Sequence, residues 1–196
     1  LQDLLAYARK KYNGPTFLMG ESLGALIALG FELKHPLQND GLVLLAPALK
    51  DKLDIPVWKK IWMAFLLLFK PDYPIKMPWN PEMITKDQES LEILKTDQDE
   101  QHHVASPRML LWNVITRNQV MFLTGRFKNH FLVVQGGQDK LMDFRAAEKF
   151  VRKLGNQGHY LFYPDMEHGL SVDLNREKMF EDISEWLLKR IEKIGK

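Results

Sequence analysis

Thr16-Phe17-Leu18-Met19-Gly20-Glu21-Ser22-Leu23-Gly24-Ala25 is the stretch whose reading decides the fold. Thr16 to Met19 is a short apolar run ending on a glycine, the pattern of a fully buried strand. From Leu23 to Leu33 follow small and straight-chain residues, including Ala25, Leu26, Ala28 and Leu29. That composition predicts a helix apolar on nearly every side, and therefore a buried one. Between the two lies Gly20-Glu21-Ser22-Leu23-Gly24, which matches G-x-S-x-G in the strand-to-helix context the motif requires. Glycines two before and two after the serine let the chain turn sharply, lifting the Ser22 hydroxyl above the sheet at a helix N-terminus. The N–H of Leu23 is then one natural donor to a developing oxyanion. The competing reading is a Gly-Ser turn in which Ser22 only caps the helix.

A serine nucleophile needs a base, and the base needs a group to orient it. On a parallel sheet with this elbow the chain order is Ser, then Asp or Glu, then His. Phe131-Leu132-Val133-Val134 reads as a strand and is followed by Gln135-Gly136-Gly137-Gln138-Asp139. Tyr160-Leu161-Phe162-Tyr163 reads as another, followed by Pro164-Asp165-Met166-Glu167-His168-Gly169. Asp139 and His168 thus fall on loops at strand C-termini, where ligands collect in open α/β sheets. Asp143 and Asp165 are the alternative acids. Asp143 suits the N-cap of the next helix, and Asp165 stands so near His168 in sequence that it is expected to face elsewhere. The expected triad is Ser22, Asp139 and His168.

The remaining elements complete an α/β order. Leu1, Leu4, Leu5 and Ala8 share one helical face, and Asn13-Gly14-Pro15 stops that helix. Gly41 to Pro47 is a further apolar strand, and Phe144 to Leu154 a helix. Met179 to Ile194 closes the chain as a helix with Phe180, Ile183, Trp186, Leu187 and Ile191 expected on its inner face. Strand, helix, strand, insertion, strand, helix, strand, helix is the order of a mostly parallel sheet with helices on both faces.

Residues 50–127 differ in character. They hold Pro56, Pro71, Pro74, Pro78, Pro81 and Pro107, and the tryptophans 58, 62, 79 and 112. No strand pattern is visible, and helical stretches alternate with proline turns. The expectation is a helical cap inserted between core segments 1–49 and 128–196. Its run Ile61 to Phe69 is more apolar than a surface helix requires, with Lys59, Lys60 and Lys70 beside it. Two uses compete: an interfacial helix making peripheral membrane contact, or cap core lying on the sheet domain. Trp62, Phe65, Leu66 and Phe69 are its candidate substrate-binding residues.

Composition narrows the function classes. The chain has 196 residues, 45% hydrophobic and 27% charged, an ordinary globular balance. A net charge of +2 gives no reason to invoke nucleic acid. Without cysteine there is no thiol nucleophile and no Cys-ligated zinc. His102 and His103 beside Asp97, Asp99 and Glu100 form no helical metal-ligand face, and a solvated turn is the expectation. His35, His130 and His159 fall at element ends. No cofactor or metal is called for. Neither a signal peptide nor a spanning segment is visible, so a cytoplasmic protein is expected, with the cap as the candidate for membrane contact. Oligomeric state is not encoded in any of these patterns.

With these residues in hand, the chain resembles the α/β-hydrolase superfamily, and within it the monoacylglycerol lipase and lysophospholipase-like group, the serine aminopeptidase-like hydrolases. The elbow is similar to that group's G-[HE]-S-M-G-G, and Q-G-G-Q-D-x-x-x-D to its acid loop. The resemblance implies Ser22 as nucleophile, Asp139 as orienting acid, His168 as general base and the Leu23 N–H in the oxyanion hole. It implies a small-molecule acyl ester as substrate. The family carries several strands and an H-G-type oxyanion loop ahead of the elbow, whereas one helix precedes it here and the chain opens on Leu1. A sequence cut from a longer protein, or a shortened relative, is the expectation. A serine peptidase using the same triad and a non-catalytic interaction protein keeping the fold are the alternatives.

Overall fold

The computed structural model describes residues 1–53, 55–96 and 104–195. Four parallel strands form the main sheet: β1 (Phe17–Glu21), β2 (Gly41–Leu45), β5 (Phe131–Gly136) and β6 (Gly158–Tyr163), adjacent in that order. Its helices are α1 (Gln2–Lys11), α2 (Leu23–Lys34), α6 (Phe144–Leu154) and α7 (Arg176–Ile194). Between β2 and β5 lie α3 (Val57–Phe69), α4 (Gln88–Thr96), α5 (Pro107–Phe122) and the pair β3 (Ile75–Lys76) and β4 (Val104–Ala105).

The two central strands are buried along their whole length because both faces are covered. Alternate residues point to opposite faces of a strand. Leu42, Leu44, Phe131 and Val133 accordingly join Leu26 and Leu29 of α2 and Phe150 of α6 in one cluster. Val43, Leu45, Leu132 and Val134 join Met179 and Ile183 of α7 in another. Phe127, Phe131 and Phe150 meet edge to face inside the first cluster. Among the described residues β1 is an outer strand and only half-covered, with Met19 49% exposed.

Several elements differ from the sequence expectation. Hydrogen bonding carries β1 on through Gly20 and Glu21, and β6 starts at Gly158, both beyond the apolar runs. Residues 50–127 do contain strands: Ile75 and Lys76 pair antiparallel with Ala105 and Val104, two residues being too few for any visible period. Within the same stretch, Val120 of α5 belongs to the cluster under α2, so the end of the expected insertion is tied into the core. On α7 the buried line runs through Met179 and Ile183, with Trp186 and Leu187 against it. Phe180 and Ile191 lie on its flanks and are exposed, contrary to the expected inner face. Of the apolar stripe on α1, Leu5 is buried while Leu1 and Leu4 are not. Ile27 likewise turns outward from the otherwise buried α2.

Candidate active site

Ser22 sits between β1 and α2 with φ 53° and ψ −113°, a positive φ that a residue with a side chain rarely adopts. The sharp turn brings Gly20 against the first turn of α2. A Cβ on Gly20 would come within 2.5 Å of the Gly24 carbonyl, so glycine is required there. The second glycine is not explained the same way, since among the described residues a Cβ on Gly24 would meet open space. The Ser22 side chain makes no capping hydrogen bond to α2, which removes the simple N-cap reading. Its Oγ lies 2.9 Å from His168 Nε2. Leu23 begins the helix, so its N–H is one of the first-turn donors without an intrahelical acceptor.

His168 is buried, and its Nδ1 lies 2.9 Å from Asp139 Oδ2. The second Asp139 oxygen accepts from the N–H groups of Leu141 and Met142, each at 2.8 Å. Burial pushes the Asp139 carboxyl up, but the His168 hydrogen bond and charge, with the two backbone donors, outweigh it. The carboxyl is held below its ordinary range. The structure therefore brings Ser22, His168 and Asp139 into one hydrogen-bonded line. Asp143 caps α6 by accepting from Arg145 N–H and pairs with Lys50, and Asp165 is exposed.

The loops that carry Asp139 and His168 touch. Gly137 N–H donates to Tyr163 O and Gln138 N–H to Met166 O. A Cβ on Gly136 would stand 2.4 Å from the carbonyl oxygens of Met166 and Glu167, which accounts for glycine at that point of approach.

Supporting residues beyond the sequence reading surround the triad. Gln135, fully buried at the end of β5, donates to Asp139 Oδ2 at 2.9 Å. A lone amide in an apolar strand was the available signal. Lys52 donates to the Asp139 carbonyl at 2.6 Å. Asp173, wholly buried, accepts from Glu167 N–H at 2.6 Å, and from Thr85 Oγ1 and Lys86 N–H at 2.9 Å each. Gly169 N–H donates to Ile84 O, and Lys86 and Lys140 both reach the buried Glu167 carboxylate. Residues 84–86 thus strap the histidine loop from outside. No sequence pattern announces contacts this distant.

The cap candidates divide. Leu66 is buried, whereas Trp62, Phe65 and Phe69 are exposed. Trp62 stacks edge-on to Tyr73 and helps line a cleft of about 510 Å³ with Trp58, Met63, Ile75 and Pro78, a cleft that does not include the triad. Among the described residues no acidic and histidine cluster could hold a metal ion; the group around His102 and His103 lies outside them. No described helix is long and apolar enough to cross a membrane. His35 ends α2 against Phe31, His159 is exposed, and His130 is depressed by burial and by Arg190 and Lys193 nearby.

A parallel sheet with an elbow serine and acid and histidine loops at successive strand ends defines an α/β-hydrolase fold. The chain belongs to the serine aminopeptidase S33 family, whose model matches residues 1–175. It is 26% identical over 181 residues to phospholipase YtpA of Bacillus subtilis, covering 89% of this chain and 66% of that protein. The chain thus spans just under two thirds of that relative's length. The monoacylglycerol lipase of Paleococcus ferrophilus superposes with a TM-score of 0.86 at 17% identity, over 96% of this chain and 72% of that one. A soluble variant of the Saccharomyces cerevisiae monoglyceride lipase gives 0.82 at 19%, over 97% and 66%.

Proposed function

We propose that the protein is a serine hydrolase that cleaves carboxylic esters of acyl-chain lipids, of the monoacylglycerol or lysophospholipid type. The observation that carries this is the hydrogen-bonded line from Ser22 Oγ through His168 to Asp139, at 2.9 Å in each link. In the proposed reaction Ser22 Oγ attacks the ester carbonyl as its proton passes to His168 Nε2. Asp139 holds the imidazole by Nδ1 and stabilises the imidazolium. The oxyanion forms near the Leu23 N–H at the positive end of α2. Collapse expels the alcohol, protonated by His168, and leaves an acyl group on Ser22. Water activated by the same histidine then releases the fatty acid.

The names of the relatives support the lipid part of this reading, and α3 supports its location. Trp58, Ile61, Phe65, Leu68 and Phe69 are exposed at helical spacing, beside Lys59, Lys60 and Lys70. That favours an interfacial helix over cap core. A cytoplasmic protein meeting the membrane peripherally through α3 is the corresponding localisation, with no nucleic acid among its partners.

The test is fluorophosphonate labelling of the protein and of Ser22→Ala, with an ester panel set against aminoacyl amides. Labelling lost in Ser22→Ala and turnover of monoacyl esters are expected. Labelling that survives Ser22→Ala would overturn the assignment, and turnover confined to amides would convert it to a peptidase.

A further inference from the structure

The nucleophile and its base come from segments 146 residues apart, and their contact tolerates little error. Misplacement by about 1 Å at a reacting group can cost roughly 10²-fold in rate. Something must register the elbow against the histidine loop directly. Glu21, the residue before Ser22, is the end of β1. Its Oε1 accepts from the Ser171 N–H at 3.2 Å, and its Oε2 from the Ser171 hydroxyl at 2.5 Å. Ser171 lies three residues after His168, in the short 3₁₀ turn Leu170–Val172. Both groups are partly buried, so water competes only in part for these bonds.

We propose that Glu21 is a positioning residue, and that its two hydrogen bonds to Ser171 latch the histidine loop to the elbow so that His168 Nε2 meets Ser22 Oγ. The latch is local to the reacting pair. Its two ends flank Ser22 and His168 within three residues, while the Asp173 contacts hold the same loop to residues 85–86 on another side. A carboxylate suits the task because it offers two acceptors to the N–H and O–H of one residue. Glutamine can keep both contacts, its oxygen accepting the N–H and its amide donating to the hydroxyl.

The inference rests on the serine-hydrolase reading, and its test begins with fluorophosphonate labelling of the unaltered protein. Absence of labelling overturns both. With labelling established, Glu21→Ala and Ser171→Ala are each expected to lower kcat for a short-chain ester by about 10- to 100-fold. KM and the thermal midpoint should stay unchanged. The double variant should be no worse than Glu21→Ala, which alone removes both bonds, whereas Ser171→Ala leaves the backbone N–H bond in place. Glu21→Gln should restore most of the rate. Wild-type kcat in Glu21→Ala would overturn the latch while leaving the hydrolase reading intact. So would a rate loss that tracks a lowered thermal midpoint and is not rescued by glutamine. If Glu21→Ala does not fold, Ser171→Ala, which removes one hydroxyl, carries the same comparison.

Discussion

Two largely apolar stretches have opposite fates in this molecule. Phe131 to Val134, in β5, is at 0% exposure throughout, covered by helices on both faces of the sheet. Val57 to Phe69, in α3, buries Leu66 and leaves Trp58 at 64%, Ile61 at 67% and Leu68 at 77% exposed. Hydrophobicity alone does not decide which run becomes core; the number of covered faces does. The end of β5 holds Asp139 over packed core, because the strand beneath it is buried along its whole length. Among the described residues most of the apolar side chains of the helix are left uncovered.

The sharpest break between the two regions is chemical. Asp139→Asn keeps the size of a side chain at the end of the buried region but cannot orient the imidazole. It should reduce kcat by on the order of 10⁴-fold, while Phe69→Ala should leave turnover of a short-chain ester unchanged; steady-state kinetics on both variants checks this. Next comes packing. Phe131→Ala should cost about 3–5 kcal/mol of stability, whereas Leu68→Ala on the open face should stay within about 0.5 kcal/mol. Denaturant titration separates them, and similar losses would erase the contrast.

The strap of residues 84–86 on the histidine loop lies in neither region and should give an intermediate effect. Thr85→Val removes the hydroxyl that donates toward Asp173 and accepts from Asp87 N–H. A loss of about 1–2 kcal/mol is expected, since a buried acceptor is left short of a partner. For the helix itself, Phe65→Ser with Leu68→Ser should weaken binding to anionic phospholipid vesicles about tenfold or more, from the apolar area withdrawn. Vesicle sedimentation reads this, and equal binding by the variant would assign the exposed face to another use.

The smallest effect is in acid. The folded-state value of Asp139 is depressed, so its ionised form adds stability that is complete above the unfolded carboxyl value of about 3.9. That stability is lost as pH falls through the lower folded value. Thermal midpoints of the wild type and Asp139→Asn should therefore converge below about pH 4, and not above it.

What could be read in the sequence follows the same division. Ser22, Asp139 and His168 are legible because each stands within five residues of a strand's end, and the C-terminal ends of parallel strands lie along one edge of the sheet. The polar extensions of β1 and β6 are not, because their pairing is set by a neighbour's backbone. The β3–β4 pair joins residues about 30 apart through two residues each, below any periodicity. Asp173, Thr85 and Gln135 act through contacts that depend on the folded arrangement, and only Gln135 leaves a trace, as an amide in an apolar run. On α3 the composition is plain, but which side meets protein depends on where Met63, Leu66 and Leu67 point once α5 is in place.

The position of β1 carries one more consequence. Among the described residues its sheet partner is β2 alone, and Ser22, the proposed nucleophile, follows directly from its last residue. Amide hydrogens exchange soonest where local opening needs the least energy, and an outer strand opens before the strands inside it. With its other edge unpaired, exchange at Leu18 to Glu21 should outrun exchange at Leu132 to Gln135 by orders of magnitude, and a further strand paired there would close the difference. In the unpaired case, warming should part Ser22 from His168 while the rest of the sheet is still intact, so that loss of activity and melting separate; in the paired case the two should coincide.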